Sequence, residues 1–316
     1  MARAKSKRAE KPPTLRSDLA ILTKVNLNTF VLITTLFGYL LGSRYFYGSW
    51  IYDGWLLWHT LLGTACTAFG SAAFNQLMEI EEDARMERTA NRPLPARRML
   101  PVNAFGIGWG LSAFGIIHLA LKVNAASAYL AAAALGVYVF IYTPLKRRSS
   151  TNTLIGGIPG AIPPMIGWAA IAHTTVDATT GATAGSWMDG QSWYLFAFLF
   201  LWQMPHFVAI SWLCREEYEK AGYCMWSNGD ASGKKTARIA MLFTVMLIAL
   251  APIGHLLGYS GLVWTIGGSA AGLVMLWLCW VFKTTPEKAT ARKLFFYTLL
   301  YLPLALGLLA IGWHVG

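Results

Sequence analysis

The sequence predicts an all-α, polytopic membrane protein, and three observations carry that prediction. Composition is the first: 55% of the 316 residues are hydrophobic and 13% charged, with a mean hydropathy of +0.45, whereas soluble domains are about a quarter charged. The second is a series of nine apolar runs of about 20 residues, the length that crosses a hydrocarbon core roughly 30 Å thick at about 1.5 Å per residue. The third is that Lys and Arg gather in alternate gaps between those runs.

The runs lie at 25–45, 55–78, 102–121, 125–143, 154–172, 192–213, 236–257, 262–282 and 294–314. The basic tail, residues 1–24, carries Arg3, Lys5, Lys7, Arg8, Lys11, Arg16 and Lys24, and the gap after the second run carries Arg85, Arg88, Arg92, Arg97 and Arg98. Lys146, Arg147 and Arg148 follow the fourth run. Arg215, Lys220, Lys234, Lys235 and Arg238 follow the sixth, and Lys283, Lys288, Arg292 and Lys293 the eighth. Twenty-four of the 26 cations thus fall on one side, leaving Arg44 and Lys122 for the other. The positive-inside rule then predicts a cytoplasmic N-terminus and an external C-terminus. Residues 25–316 read as a single transmembrane domain.

The net charge of +11 is accounted for by topology and by attraction to the anionic headgroups of the lipid bilayer, so no nucleic-acid partner is expected. Cys66, Cys214, Cys224 and Cys279 show no metal-ligand spacing. The tail contains Glu10, Asp18 and two prolines. It fits neither a signal peptide nor an acid-poor transit peptide, which favours a bacterial inner membrane over a mitochondrial one. The gap at 173–191, rich in Thr, Ala and Gly, reads as an external loop.

Residues of chemical interest gather in the basic gaps. Asn75, Glu79 and Asp83 are spaced at i, i+4 and i+8, one face of a helix. Carboxylates stacked one turn apart repel unless a cation lies between them, and Mg²⁺ suits hard oxygen donors completed by phosphate oxygens. Arg88 and Arg92 follow, with guanidinium groups that can clamp phosphate; Glu81, Glu82 and Glu87 read as solvated partners of nearby arginines. Tyr142, Lys146 and Arg147 close the fourth run, adding cations and a ring face able to steady an allylic cation. The Gly- and Pro-rich stretch 156–167 predicts close helix approach or a broken helix lining a cavity. Trp202, Gln203, Met204, Pro205, His206 and Phe207 place polar groups inside the sixth run, where such groups face a cavity or a partner.

The combination resembles the UbiA superfamily of intramembrane prenyltransferases over about residues 70–235, and within it the haem O synthase branch. The first superfamily motif corresponds to Asn75, Glu79 and Asp83 with Met86, Arg88, Thr89, Arg92, Pro93 and Leu94, and the YxxxKR element to Tyr142, Lys146 and Arg147. The branch is indicated by 156–167, by 202–207, and by Arg215, Glu216, Glu217 and Tyr218 with 221–225. Glu79 stands where the family usually has Asp. The superfamily's second Asp-rich motif is replaced by His206, Arg215, Glu216 and Glu217.

The resemblance implies a helical bundle around a central cavity and transfer of farnesyl from farnesyl diphosphate to the 2-vinyl group of haem B, giving haem O and diphosphate. It implies Mg²⁺ on Asn75, Glu79 and Asp83, and a diphosphate neutralised by Arg88, Arg92, Lys146, Arg147 and Arg215. Tyr142 would stabilise the cation, while Trp202, Gln203 and His206 would meet haem B, which is a substrate and not a cofactor. Haem A synthase and oxidase assembly factors are the implied protein partners. The competing readings are a UbiA-type enzyme with another aromatic or tetrapyrrole acceptor, a transporter, and a catalytically idle assembly factor.

Overall fold

The computed structural model describes residues 13–172 and 186–315. The tail cations Arg3, Lys5, Lys7, Arg8 and Lys11, and most of the expected loop at 173–191 with His173 and Asp177, lie outside them. Fourteen helices account for the described fold. Helix α1 (Leu15–Leu22) precedes α2 (Val25–Tyr47), α3 (Gly54–Met78), the short α4 (Ile80–Arg85), α5 (Pro101–Lys122) and α6 (Ala125–Gly136). A π-helical turn, Val137–Tyr142, joins α6 to α7 (Thr143–Leu145). After α8 (Asn152–Ala161) and α9 (Pro163–Ala172) come α10 (Gly190–Leu213), α11 (Arg215–Ala221), α12 (Lys234–Leu256), α13 (Leu262–Thr284) and α14 (Lys288–Gly312).

Among the described residues, eight stretches are long and apolar enough to cross a membrane: α2, α5, α6 to α7, α8 to α9, α10, α12, α13 and α14. This is a multi-pass membrane protein. The remaining expected run is α3, as long as the others but diluted by Thr60, Thr64, Thr67, Asn75 and Gln76, all of which are buried. The expected count of nine therefore becomes eight apolar spans plus one long helix whose polar residues face inward.

The fifth run divides, as its composition predicts. Pro163 and Pro164 have no backbone N–H to continue the helix, and the conformational restriction on a residue before proline falls at Ile162, where α8 ends. Packing of α9 on α2 depends on missing side chains: a Cβ on Gly38 would sit 1.9 Å from the Pro164 carbonyl oxygen, and one on Gly167 would sit 2.0 Å from that of Thr35. Backbones that close need small residues, the usual way for membrane helices to gain contact where lipid offers no hydrophobic drive. The core is filled by Trp168, Phe198, Trp264, Met275, Phe282 and Tyr301. Trp55, Trp109, Phe114, Phe140 and Phe296 are turned outward, as lipid-facing surfaces require.

Between α2, α3, α6, the π turn, α8, α9, α10 and α14 lies a cavity of about 470 Å³. Its walls are mostly apolar, with Leu27, Val31, Ala68, Ala131, Leu199 and Leu302 among them. Lys24, Tyr138 and Tyr142 stand at one margin and Trp202, Gln203 and His206 on another wall.

Candidate functional site

Helix α3 stops at Met78 because Glu79 leaves helical geometry (φ −110°, ψ 17°), and α4 restarts one residue later. The expected single helix face is therefore kinked at its middle member. Backbone bonds from Glu79 N to Asn75 O (3.1 Å) and from Asp83 N to Glu79 O (2.8 Å) nevertheless preserve the one-turn spacing. All three side chains are buried, at 0%, 3% and 1% exposure for Asn75, Glu79 and Asp83.

Each has a partner that desolvation demands. Asn75 accepts a short hydrogen bond from Lys24 Nζ at Oδ1 and donates from Nδ2 to Thr143 Oγ1 (3.1 Å). Glu79 pairs with Lys146 (2.7 Å) and Asp83 with Arg92 (2.6 Å). Lys146 Nζ also lies 4.6 Å from the Tyr142 ring and 5.5 Å from that of Tyr223. Burial opposes ionisation of Glu79, but the Lys146 and Lys24 ammonium groups outweigh it and hold the carboxyl below the usual range. Burial likewise opposes the charge on Lys146, yet Glu79 and the surrounding tyrosines lift its pKa well above an ordinary lysine's. Lys24 is different. Desolvation lowers it to about 7, with Lys146 and Arg92 acting in the same direction and Glu79 and Asp83 offsetting only part.

The remaining expected cations are engaged nearby. Arg147 clasps Glu82 from two nitrogens (2.7 and 2.8 Å) and donates to the Met78 carbonyl, so it braces the kink. Glu82, expected to be solvated, is 6% exposed because of that clasp. Arg88 lies over the Tyr218 ring (4.9 Å) and 3.7 Å from Glu217, tying the α4 region to α11. Arg215 turns to the Trp212 carbonyl (3.1 Å) and to Glu216 (3.3 Å). Asn75, Glu79, Asp83, Arg92, Lys146 and Tyr142 thus form the cluster, Arg147 and Arg88 support its edges, and Arg215 makes its contacts elsewhere.

On the cavity's other wall, Trp202 Nε1 donates to the Thr298 carbonyl (2.9 Å) and Gln203 Nε2 to that of Gly157 (2.8 Å). His206 stacks between Trp202 (5.7 Å) and Phe295 (4.8 Å), with Nδ1 2.9 Å from Thr298 Oγ1. The single Thr298 hydroxyl proton is given to the Phe295 carbonyl (2.6 Å). His206 Nδ1 must therefore be the donor, which leaves Nε2 with a lone pair.

Sequence reasoning missed Lys24, Tyr138, Thr143 and Thr298. Lys24 had a signal: Asn26 and Asn28 interrupt the start of an apolar run, which marks that segment as more than a topogenic flank. Thr143 and Thr298 had none, since a hydroxyl bonded to its own helix is common in any span. Among the described residues, no three His, Cys, Asp or Glu side chains converge as a metal site.

Residues 31–301 match the UbiA prenyltransferase family. The chain belongs to that family. It is 38% identical over 304 residues to a protoheme IX farnesyltransferase of Solibacter usitatus (strain Ellin6076), covering 93% of this chain and 98% of that one. Among solved structures it is similar to a digeranylgeranylglyceryl phosphate synthase (TM-score 0.73, 17% identity, 94% of this chain and 98% of that one). It is also similar to a UbiA homologue from Archaeoglobus fulgidus bound to GPP and Mg²⁺ (TM-score 0.63, 12% identity, 93% and 99%). The UbiA-type helical architecture expected from the motifs is therefore the one observed.

Proposed function

We propose that this UbiA family member transfers the farnesyl group of farnesyl diphosphate to the 2-vinyl group of haem B, giving haem O and diphosphate. One observation carries the reading: a buried cluster of paired carboxylates and cations adjoins a mostly apolar cavity of about 470 Å³ through Lys24, Tyr138 and Tyr142. An amphiphile with a polyanionic head and an isoprenoid tail fits both parts at once. The close protoheme IX farnesyltransferase relative supports the choice of tail and acceptor.

The donor set fits Mg²⁺. Asn75, Glu79 and Asp83 present hard oxygens, and two buried carboxylates leave coordination to be completed by phosphate oxygens and water. When bound, the ion supplies Lewis-acid withdrawal of charge from the departing diphosphate. Lys146 and Arg92, now paired with Glu79 and Asp83, are the cations at hand for the phosphate oxygens. In this poorly hydrated place their attraction exceeds its strength in water. The electron pair of the C1–O bond leaves with the diphosphate, and the Tyr142 ring face is set to steady the positive charge on C1. The vinyl carbon bonds to C1, and water adds to the carbon next to the porphyrin, losing a proton. Apolar walls keep water from C1 before then. Trp202, Gln203 and His206 form the wall suited to the porphyrin, with His206 Nε2 available to accept a proton or to touch the iron.

In a bacterial inner membrane with a cytoplasmic N-terminus, the cluster would face the cytoplasm, where soluble prenyl diphosphates are found. The test is expression of the full chain in a host that makes haem B but no haem O, followed by mass spectrometry of extracted haems. The expected product exceeds haem B by one farnesyl group and one hydroxyl group. An unchanged haem profile, with the protein present in the membrane, would sink the assignment.

A further inference from the structure

Lys24 precedes α2, at the end of the basic tail, yet four features set it apart from a topogenic cation. It is the one charged side chain among the described residues that line the cavity. Its Nζ reaches Asn75 Oδ1 and lies 3.4 Å from the Tyr138 hydroxyl, so it belongs to cluster and cavity together. Its backbone is held in the left-handed region (φ 47°), where side chains other than those of Gly, Asn and Asp are uncommon and strain tends to accompany function. That conformation is pinned: Gln76 Nε2 donates to the carbonyls of Ile21 (2.6 Å) and Leu22 (3.1 Å), Asn28 Nδ2 to that of Thr23 (2.7 Å), and Arg98 pairs with Asp18 (2.8 Å).

An ammonium has three protons to donate. Asn75 takes one and Tyr138 weakly a second, leaving one for a ligand. A prenyl diphosphate with its head in the cluster and its tail in the cavity places the C1–O bond where the two meet. We infer that Lys24 is a catalytic residue, donating a hydrogen bond to the diphosphate oxygen attached to C1 and stabilising the negative charge that gathers there as the bond breaks. This inference rests on the prenyl-transfer reading above. The bound diphosphate, a polyanion beside Nζ, favours the ammonium form of Lys24, which keeps its proton throughout; the electron pair of the C1–O bond passes to the oxygen, and the cation at C1 is consumed by the acceptor's vinyl group. Because the oxygen gains charge only as the bond breaks, the interaction strengthens toward the transition state and belongs mainly to kcat.

The test compares the purified full chain with Lys24→Gln, which retains a donor for Asn75 without the charge, and Lys24→Arg, which retains the charge. Farnesyl transfer to haem B is followed with Mg²⁺ present, and binding of farnesyl thiodiphosphate, an analogue with a sluggish leaving group, is measured separately. Lys24→Gln is expected to lose at least a hundredfold in kcat while binding the analogue within tenfold of wild type, and Lys24→Arg to recover at least tenfold of the lost kcat. Three outcomes overturn the role: a Gln variant within threefold of wild-type kcat, a loss that lies wholly in analogue binding, or an Arg variant as slow as Gln with both monodisperse. Should Lys24→Gln fail to fold, the Arg variant decides: kcat within thirtyfold of wild type supports the role, and a larger loss refutes it. An inactive wild-type protein would instead refute the prenyl-transfer reading, so the two failures are distinguishable.

Discussion

The charged cluster and the aromatic wall of the cavity satisfy buried polarity by opposite means. In the cluster, Glu79 and Asp83 are matched by Lys146 and Arg92, charge against charge. On the wall, Trp202 and Gln203 donate to backbone carbonyls and His206 to the Thr298 hydroxyl, with no full charge involved. The first arrangement is costly to desolvate and is worth building where a polyanion must be received and split. The second is rigid, neutral and flat, suited to fixing the orientation of a large ring.

Four perturbations test that contrast, beginning with the largest expected effect. Asp83→Ala should cut kcat/KM for farnesyl transfer by about two to three orders of magnitude, the usual loss for a group that stabilises developing charge, while the protein still inserts. A near wild-type rate in a purified assay would separate the cluster from the chemistry. His206→Phe should retain the stack on Phe295 but remove Nε2, lowering kcat/KM for haem B about tenfold with the KM for farnesyl diphosphate unchanged. An effect on farnesyl diphosphate alone would erase the proposed division between the two regions. Arg147→Ala should raise the KM for farnesyl diphosphate severalfold and lower Tm, because Glu82 is left buried without its partner and the Met78 carbonyl loses a donor. Thr298→Val should free His206 Nδ1 at a cost of about 1 kcal/mol, roughly fivefold in kcat for haem B; no change would mean that stacking alone holds the ring.

Outside both regions, Asp230 gives a comparison in pH. Burial resists its charge, but the backbone and hydroxyl of Thr236, each at 2.8 Å, hold its carboxyl below the usual range. A depressed carboxylate contributes stability that is present above its unfolded pKa and is lost as pH falls through the folded value, here below about pH 4. The Tm gap between wild type and Asp230→Asn should therefore be open at pH 7 and close on acidification, and a gap independent of pH would dismiss the carboxylate's role.

Most of the architecture was legible because membrane crossing leaves a strong record: apolar length, alternating cations, and prolines where the fifth run breaks. The exception is α3, whose threonines, Asn75 and Gln76 lower its hydropathy because they face inward, a distinction that composition cannot make. The cluster was legible in its members but not in its pairing. Spacing put Asn75, Glu79 and Asp83 together, yet the kink at Glu79, the use of Arg147 as a brace and the distance in sequence between Lys24 and Asn75 all depend on tertiary packing. Lys24 looked like one more flanking cation because topology already explained it, and Arg215, expected beside the phosphate, bonds to Trp212 and Glu216, partners that spacing alone does not reveal.

The account depends on the buried oxygens of Glu79 and Asp83 working with a divalent cation to hold a diphosphate beside the cavity. Binding of farnesyl thiodiphosphate by the purified protein, with Mg²⁺ and then with Mg²⁺ removed by chelation, measures this without turnover. Wild type should bind at least tenfold more tightly with the metal, and Glu79→Gln with Asp83→Asn should abolish that gain. The same Mg²⁺ dependence in the double variant as in wild type would contradict it.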